Sequence, residues 1–400
     1  MIKKTIVLQE IMKMKFEAIY ERYKRSELSC EEAATILGCS ERTFRRKKGR
    51  YKAEGFKGLL DKRIGHIPPN KIPVDEVEEM LKLYDEKYYD FNARHFHEQL
   101  VKKHNFIRSY NFVRLSLQDC GTLIKKERKG KHRNKRPRKA MRGMMLHQDG
   151  STHRWIQSID YKHDLIVTMD DATSCIYSAF LVDEEGTASC FRAIKEVIEN
   201  QGLFSSLYVD RGSHYAYTPQ AGGKVDKNTL TQVGRACQQL GIQLIHAYSP
   251  EARGRSERLF GSWQGRLPQE LRVNNITTVF EANRYLKEVF VPEYNAQFAV
   301  EAELEESCFV PYVGRDLQEI LSIQEERIVA KDNTISYHNK TLQIPKAEDR
   351  YHYVKCKIMV HEYANGNLAI FHGPRKLAVY DNNGKLLSEL ISAVGKKAAA

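Results

Sequence analysis

Between Gly143 and Leu267, apolar runs of strand length alternate with segments of helical period, and no other feature restricts the possible fold as tightly. Strand-like runs fall at Gly143–Asp149, Leu165–Asp170, Ile176–Val182, Ser206–Asp210 and Ile242–Ala247. Helical periodicity falls at Ala188–Asn200, Leu230–Leu240 and Ser256–Leu267. The first three strands follow one another through short connections, which predicts an antiparallel meander. The last two are each reached through a helix, which predicts parallel crossovers. The expected product is one mixed five-stranded sheet with helices packed on it.

Three carboxylates mark this region. Asp149 and Asp210 end apolar strands and are followed by Gly150 and, two residues on, Gly212; Glu257 opens a helix just after Gly254. In the expected sheet Asp149 and Asp210 become neighbours and Glu257 approaches from a helix. Acids converging from three elements suit hard divalent cations, which take oxygen ligands, and Mg2+ is commonly held by a few carboxylates plus substrate phosphates. A two-metal site of this kind serves in-line displacement at a phosphodiester. Asp149 is assigned as the carboxylate shared by two Mg2+ ions (with Mn2+ as a substitute), and Asp210 and Glu257 as the ligands of one ion each. Glu251 and Glu270 compete with Glu257; Asp170 and Asp171 suit a hairpin turn better than a ligand role. Arg253, Arg255 and Arg258 cluster beside Glu257 as contacts for DNA phosphates, and His214 or Arg211 is placed to touch the scissile phosphate. Trp155 and Tyr215 read as packing residues.

The charge is lopsided. Up to Ala140 there are 35 Lys and Arg against 19 Asp and Glu, a net +16; the remainder carries 29 against 32, a net −3. Such a basic front half implies a polyanion partner. Within residues 1–72, Ser29 with Glu32 forms a capping-box signature, Gly38 breaks the helix it starts, and Ser40 caps a second helix bearing Arg42, Arg45, Arg46 and Lys48, with Phe44 facing inward. This is a helix-turn-helix pattern, whose second helix enters the major groove. Residues 73–124 predict a second trihelical module, with Arg108 and Arg114 as its DNA contacts. His95, His97 and His104 read there as helix-surface histidines rather than zinc ligands. Residues 125–142 form a basic linker: Lys125–Lys139 holds ten basic residues and one acid. Lys131, Arg133, Arg136 and Arg138 are assigned to DNA phosphates along it.

The residues Asp149-Gly-Ser with Trp155, Val-Asp210-Arg-Gly-Ser, and Ser-Pro-x-Ala-x-Gly254-Arg-x-Glu257-Arg-x-Phe resemble the DDE transposase/integrase superfamily, with a retroviral-integrase-type core of ribonuclease-H-like architecture. The resemblance is closest to bacterial insertion-sequence transposases of the group called ISNCY and covers nearly the whole chain. It implies strand cleavage at the terminal inverted repeats of an element, then attack of the freed 3′-hydroxyl on target DNA, by a dimer or higher oligomer in a synaptic complex. The spacings of 61 residues from Asp149 to Asp210 and 47 from Asp210 to Glu257 fall in the tolerated range, although many relatives place the Glu about 35 residues after the second Asp; an insertion around Tyr217–Asn228 lengthens the gap. The alternative is a catalytically silent DNA-binding regulator derived from a transposase, or, leaving the helix-turn-helix modules unexplained, a ribonuclease H or junction nuclease.

The catalytic core is expected over residues 143–297, followed by a connector at 298–328 whose end is acid-rich and helical. Five short strands with Asn-containing turns then predict a small β-barrel, SH3-like by the resemblance, over 329–390, and a disordered tail over 391–400. No apolar run approaches the roughly 20 residues that span a bilayer. The N-terminus lacks the pattern of a signal peptide, and eight scattered cysteines without a Cys-x-x-Cys pair fit a reducing bacterial cytoplasm, at the nucleoid if DNA is the partner.

Overall fold

A computed structural model describes residues 2–60, 72–124, 136–218, 226, 229–247, 253–314, 316–346 and 350–389. The chain falls into two compact units, Met1–Glu79 and Met80–Ala400.

The first unit holds α1 (Ile2–Lys24), α2 (Cys30–Ile36) and α3 (Glu41–Glu54). Both bonds of the capping box form: Glu32 N–H donates to Ser29 Oγ at 3.2 Å, and Ser29 N–H to Glu32 Oε2 at 2.8 Å. Gly38 turns the chain at φ +61°, a conformation that favours glycine, and Ser40 Oγ accepts from Thr43 N–H at 3.3 Å to start α3. Ala33 and Ala34 let α2 approach closely, and Phe44 is fully buried against Phe16, Ile19 and Tyr20.

The second trihelical module comprises α4 (Val74–Leu83), continued by a π-turn over Tyr84–Tyr88, then α5 (Ala93–His104) and α6 (Tyr110–Asp119). Asn92 caps α5, the left-handed Asn105 ends it and Ser109 caps α6. Its core is Met80, Tyr84, Tyr88, Phe91, Phe96, Leu100, Val113 and Leu117.

The central sheet has β1 (Leu146–His153), β2 (His163–Asp170), β3 (Ile176–Val182), β4 (Ser206–Val209) and β5 (Gln243–His246) in the order β3-β2-β1-β4-β5. β1 pairs antiparallel with β2, and β2 with β3, while β4 lies parallel to β1 and β5 to β4. This is the mixed sheet expected from the sequence. On one side α7 (Thr187–Asn200) and α8 (Gln232–Gln239) bury Ile194, Val197, Val233 and Ala236 with Leu146 and Leu207. On the other, α9 (Gly254–Gln264), α10 (Leu267–Val273), α11 (Val279–Tyr285) and α12 (Val291–Phe298) enclose Trp155, Leu165, Trp263, Leu267 and Leu271. Truncating one such leucine to alanine costs about 2–5 kcal/mol, so this layer fixes where α9 starts.

The connector runs extended along the core. Leu203 and Val310 exchange backbone hydrogen bonds at 2.7 and 2.9 Å. Gly202 (φ +110°) is required at that crossing, since a Cβ there would lie 2.5 Å from the Val310 carbonyl oxygen.

Beyond it, α13 (Leu317–Ile320) is only one turn, and β6 (Ile323–Ile328) follows where the acid-rich sequence predicted helix. Pairing with a neighbouring strand overrides that local preference: β6 runs antiparallel to β9 (Lys357–Glu362) along its whole length, with Lys357 Nζ 2.8 Å from Glu326. β7 (Thr334–Tyr337) and β8 (Lys340–Gln343) form a separate hairpin, turned by His338 and Asn339 at positive φ, while β10 (Leu368–His372), β11 (Arg375–Tyr380) and β12 (Leu386–Glu389) complete a sheet of order β12-β11-β10-β9-β6. The expected barrel is therefore not closed. Among the described residues β12 and β6 are opposite, unjoined edges of an open sheet, and the hairpin stands outside it. Arg235 of α8 anchors the region by donating to the carbonyls of Ile320 and Ser322.

Candidate active site

Asp149 sits in β1, paired in register with Val167 of β2, and is 9% exposed. Because β4 runs parallel beside β1, with Leu146 opposite Leu207 and His147 opposite Tyr208, the residue after β4 arrives next to Asp149. That residue is Asp210. Its Oδ1 accepts from Gly212 N–H at 2.7 Å, and its backbone carbonyl lies 3.3 Å from His246 Nδ1 of β5. Glu257 is exposed in the first turn of α9, whose opposite face buries Leu259, Phe260 and Trp263. All three carboxylates line one open cleft of about 600 Å3, together with Gly150, Arg211, Ala247, Arg253, Phe260, Gly261 and Gln264.

Arg253 lies between the acids. Its guanidinium pairs with Asp149 and, through Nη1, with Asp210 Oδ2 at 3.1 Å. Burial lowers its pKa, partly offset by Glu257. Two carboxylates brought side by side need a cation between them, and here a guanidinium supplies it. Asp149 and Asp210 around this shared positive charge, with Glu257 lining the same cleft, offer the oxygen donors that a hard divalent ion takes.

The competing acids are placed elsewhere or outside the described residues. Glu251 lies outside them. Glu270 is buried on α10, 2.7 Å from His95 Nε2, and its other oxygen accepts from Tyr285 Oη at 2.5 Å. Burial would raise its pKa, but His95 and Tyr285 lower it below the usual range. His95 is thus fully buried, which corrects its reading as a surface histidine: it belongs to the face by which α5 docks on the core. That contact includes Arg266 Nη1 on Glu98 at 2.7 Å and Arg272 Nη2 on Asp90 at 2.6 Å. His97 meets the Arg108 carbonyl, and the exposed His104 meets Tyr88 Oη. The signal for docking was the acid on α10 facing a histidine far away in sequence, which periodicity does not reveal.

Asp170 is a turn residue, accepting from Thr173 N–H and Oγ1 and from Gly143 N–H at 2.8–3.0 Å. Asp171 is more than that. It is fully buried and gathers Arg136, Arg255, His147 Nε2 at 2.7 Å and the Lys139 N–H at 2.8 Å. Burial opposes its ionisation, but His147, the Lys139 amide and Arg255 prevail and hold its carboxyl far below the usual carboxylate range. Arg138 caps the carbonyls of Asp171 and Ala172 and the Ser174 hydroxyl. Arg136 and Arg138, both exposed, and the half-buried Arg255 thus each pair with groups of the chain around Asp171. Lys131 and Arg133 lie outside the described residues. Arg258 is exposed beside Glu257. Arg114 Nη1 reaches Gln118 at 3.4 Å, and Arg108 is half-buried. On α3, Arg42 and Arg46 are exposed, Arg45 pairs with Glu41, and Lys48 Nζ reaches Tyr23 Oη at 3.0 Å. Trp155 and Tyr215 are buried, as packing residues should be.

Residues 15–65 match the family model described as a helix-turn-helix domain. A protein of Sinorhizobium fredii named as a transposase (y4bF) is 28% identical over 342 residues, covering 84% of this chain and 74% of its own. The transposase for insertion sequence IS1202 of Streptococcus pneumoniae is 27% identical over 388 residues, covering 88% and 82%. Among solved structures, the HTLV-2 integrase catalytic core domain in complex with magnesium overlaps 37% of this chain and 89% of its own at 17% identity, with a TM-score of 0.26, too loose an overlap to bear on function. With its helix-turn-helix domain and its mixed central sheet, the chain is similar along most of its length to proteins named as transposases.

Proposed function

We propose that the chain is an active transposase, which binds the terminal inverted repeats of an insertion sequence, cleaves a strand at their ends and joins the freed 3′-hydroxyl to target DNA. The observation that carries this reading is the convergence of Asp149, Asp210 and Glu257 in one open cleft. Asp149, the most enclosed, would hold Mg2+ ions, or Mn2+ in their place, together with Asp210 and Glu257. Ions bound there supply Lewis-acid activation of the attacking and leaving oxygens.

The chain's own groups do the rest. Arg253 holds the two aspartates together until the site is loaded, and when it lets go its guanidinium is freed at the cleft wall, a bidentate partner for a phosphate. Arg211 lines the same wall, and Arg258 is exposed next to Glu257. The cleft is wide and open, as a polymeric substrate requires. The basic helix α3 delivers duplex DNA, with the recognition-helix geometry placing Arg42 and Arg46 toward the groove. Assembly as a dimer or larger synaptic complex follows from the need to pair two element ends. Incubation of the full chain with its own flanking DNA and Mg2+ or Mn2+, with cleaved ends mapped, tests the proposal. Nicks confined to the repeat termini support it; tight repeat binding without cleavage favours a catalytically silent regulator.

A further inference from the structure

A second group of ligand-type side chains lies next to the cleft. Glu185, just before α7, Cys190 in its first turns, and His214, after β4, each offer one donor atom, and the three atoms lie within 4.8 Å of one another. His214 Nε2 is 3.2 Å from Glu185 Oε1, yet it has no hydrogen-bond partner: the two are close but not aligned to share a proton. Cys190 is fully buried. Beside its thiol lie Gln148 and Tyr215, 1% and 2% exposed, whose side-chain amide and hydroxyl are the polar groups nearest to it. A polar atom shielded from water and left without a partner is rare in folded proteins, and a bound cation would account for His214 Nε2.

The backbone makes room for these groups. A Cβ at Gly150 would overlap the Glu185 carboxylate, and one at Gly212 would fall 2.8 Å from His214 Cε1. The glycines that follow Asp149 and Asp210 therefore admit Glu185 and His214 to this position.

We propose that Glu185, Cys190 and His214 form a binding site for a single Zn2+-class cation, separate from the carboxylate triad. The donor chemistry separates the two sites. A thiolate, an imidazole and one carboxylate suit a borderline-soft ion, whereas the three carboxylates of the cleft suit Mg2+. Tetrahedral zinc with bonds of about 2.0–2.3 Å sets its donors roughly 3.4–3.7 Å apart, so the three atoms need close by only about 1 Å, within reach of the Glu185 side chain. Binding displaces the thiol proton to solvent, leaving a metal-bound thiolate and a neutral imidazole. The ion would tie the start of α7 to the loop carrying Asp210 and so hold that loop in place. This site stands whether or not the chain cleaves DNA.

The test uses the full chain stripped with chelator and titrated with Co2+, which reports sulfur ligation through a thiolate-to-metal charge-transfer band. The expected result is one band saturating at one equivalent per chain, abolished by Zn2+ or by Cys190→Ser and retained in Asp149→Asn. His214→Gln, which leaves the thiol in place, should weaken Co2+ binding at least tenfold and covers the case in which the serine variant fails to fold. No band in the unsubstituted chain, or a band indifferent to both substitutions, overturns the site. Oxygen-only ligation at the triad gives no such band, so the outcome is independent of the cleavage assay.

Discussion

Arg253 Nη1 stands 3.1 Å from Asp210 Oδ2 while the same guanidinium pairs with Asp149. One side chain thus bridges the two aspartates that the sheet brings together and offsets part of their mutual repulsion. A divalent ion entering the cleft competes with it directly. Arg253→Gln should lower the thermal midpoint of the metal-free protein, because the carboxylates then repel each other. It should also lower the half-saturating Mg2+ concentration roughly tenfold, about 1.4 kcal/mol. Calorimetric titration checks this; an unchanged Mg2+ affinity would show that Arg253 does not guard the site.

Asp171 makes the stability of the fold pH-dependent. Its carboxyl is held far below the ordinary Asp value of about 3.9. A depressed pKa contributes stability that is complete above the unfolded-state value and is lost as pH falls through the folded one. Thermal midpoints should therefore hold steady from neutrality down to about pH 5 and drop below about pH 4. Asp171→Asn should cost about 3 kcal/mol at pH 7, since Arg136 and Arg255 lose their buried partner. It should also flatten the acid limb of the midpoint–pH curve; an acid limb as steep as the parent's would assign the effect to other carboxylates.

Much of the fold is legible in the amino-acid sequence alone. The central sheet was legible because strand and helix periods alternate cleanly from Gly143 onward, and Asp149 and Asp210 were conspicuous as acids ending apolar runs. Ser29, Glu32, Gly38 and Ser40 announced the first helix-turn-helix by local chemistry alone. What escaped was non-local. Asp171 looked like a turn residue because its partners, Arg136 and Arg255, are 35 and 84 residues away. Glu185 gave no sign, since only the approach of Gly150 makes its position meaningful. β6 was hidden under acids that favour helix, and the open C-terminal sheet depends on which strands pair, which short alternating runs do not encode.

The docking of α5 on α10 rests on the buried pair His95–Glu270, 2.7 Å apart. Glu270→Ala should destabilise that contact by about 3 kcal/mol, leaving His95 and Tyr285 without their acceptor. Hydrogen exchange should quicken in α5 while α3 amides stay unaffected. Equal protection of α5 in parent and variant would contradict the role given to this pair.

On α3, Arg42 and Arg46 are exposed. Replacing both with alanine should weaken binding to duplex repeat DNA and reduce the slope of log affinity against log salt by about 2, near one per phosphate contact. A slope equal to the parent's would move the DNA contact elsewhere.

The central claim is that the cleft of Asp149, Asp210 and Glu257 is where DNA is cut. The most direct measurement is Mg2+-dependent cleavage of repeat-end DNA by Asp149→Asn and Asp210→Asn, run beside a binding assay. The account predicts parental affinity for the repeats with cleavage reduced at least a thousandfold, about 4 kcal/mol of transition-state stabilisation. Cleavage at the parental rate by either variant would contradict it.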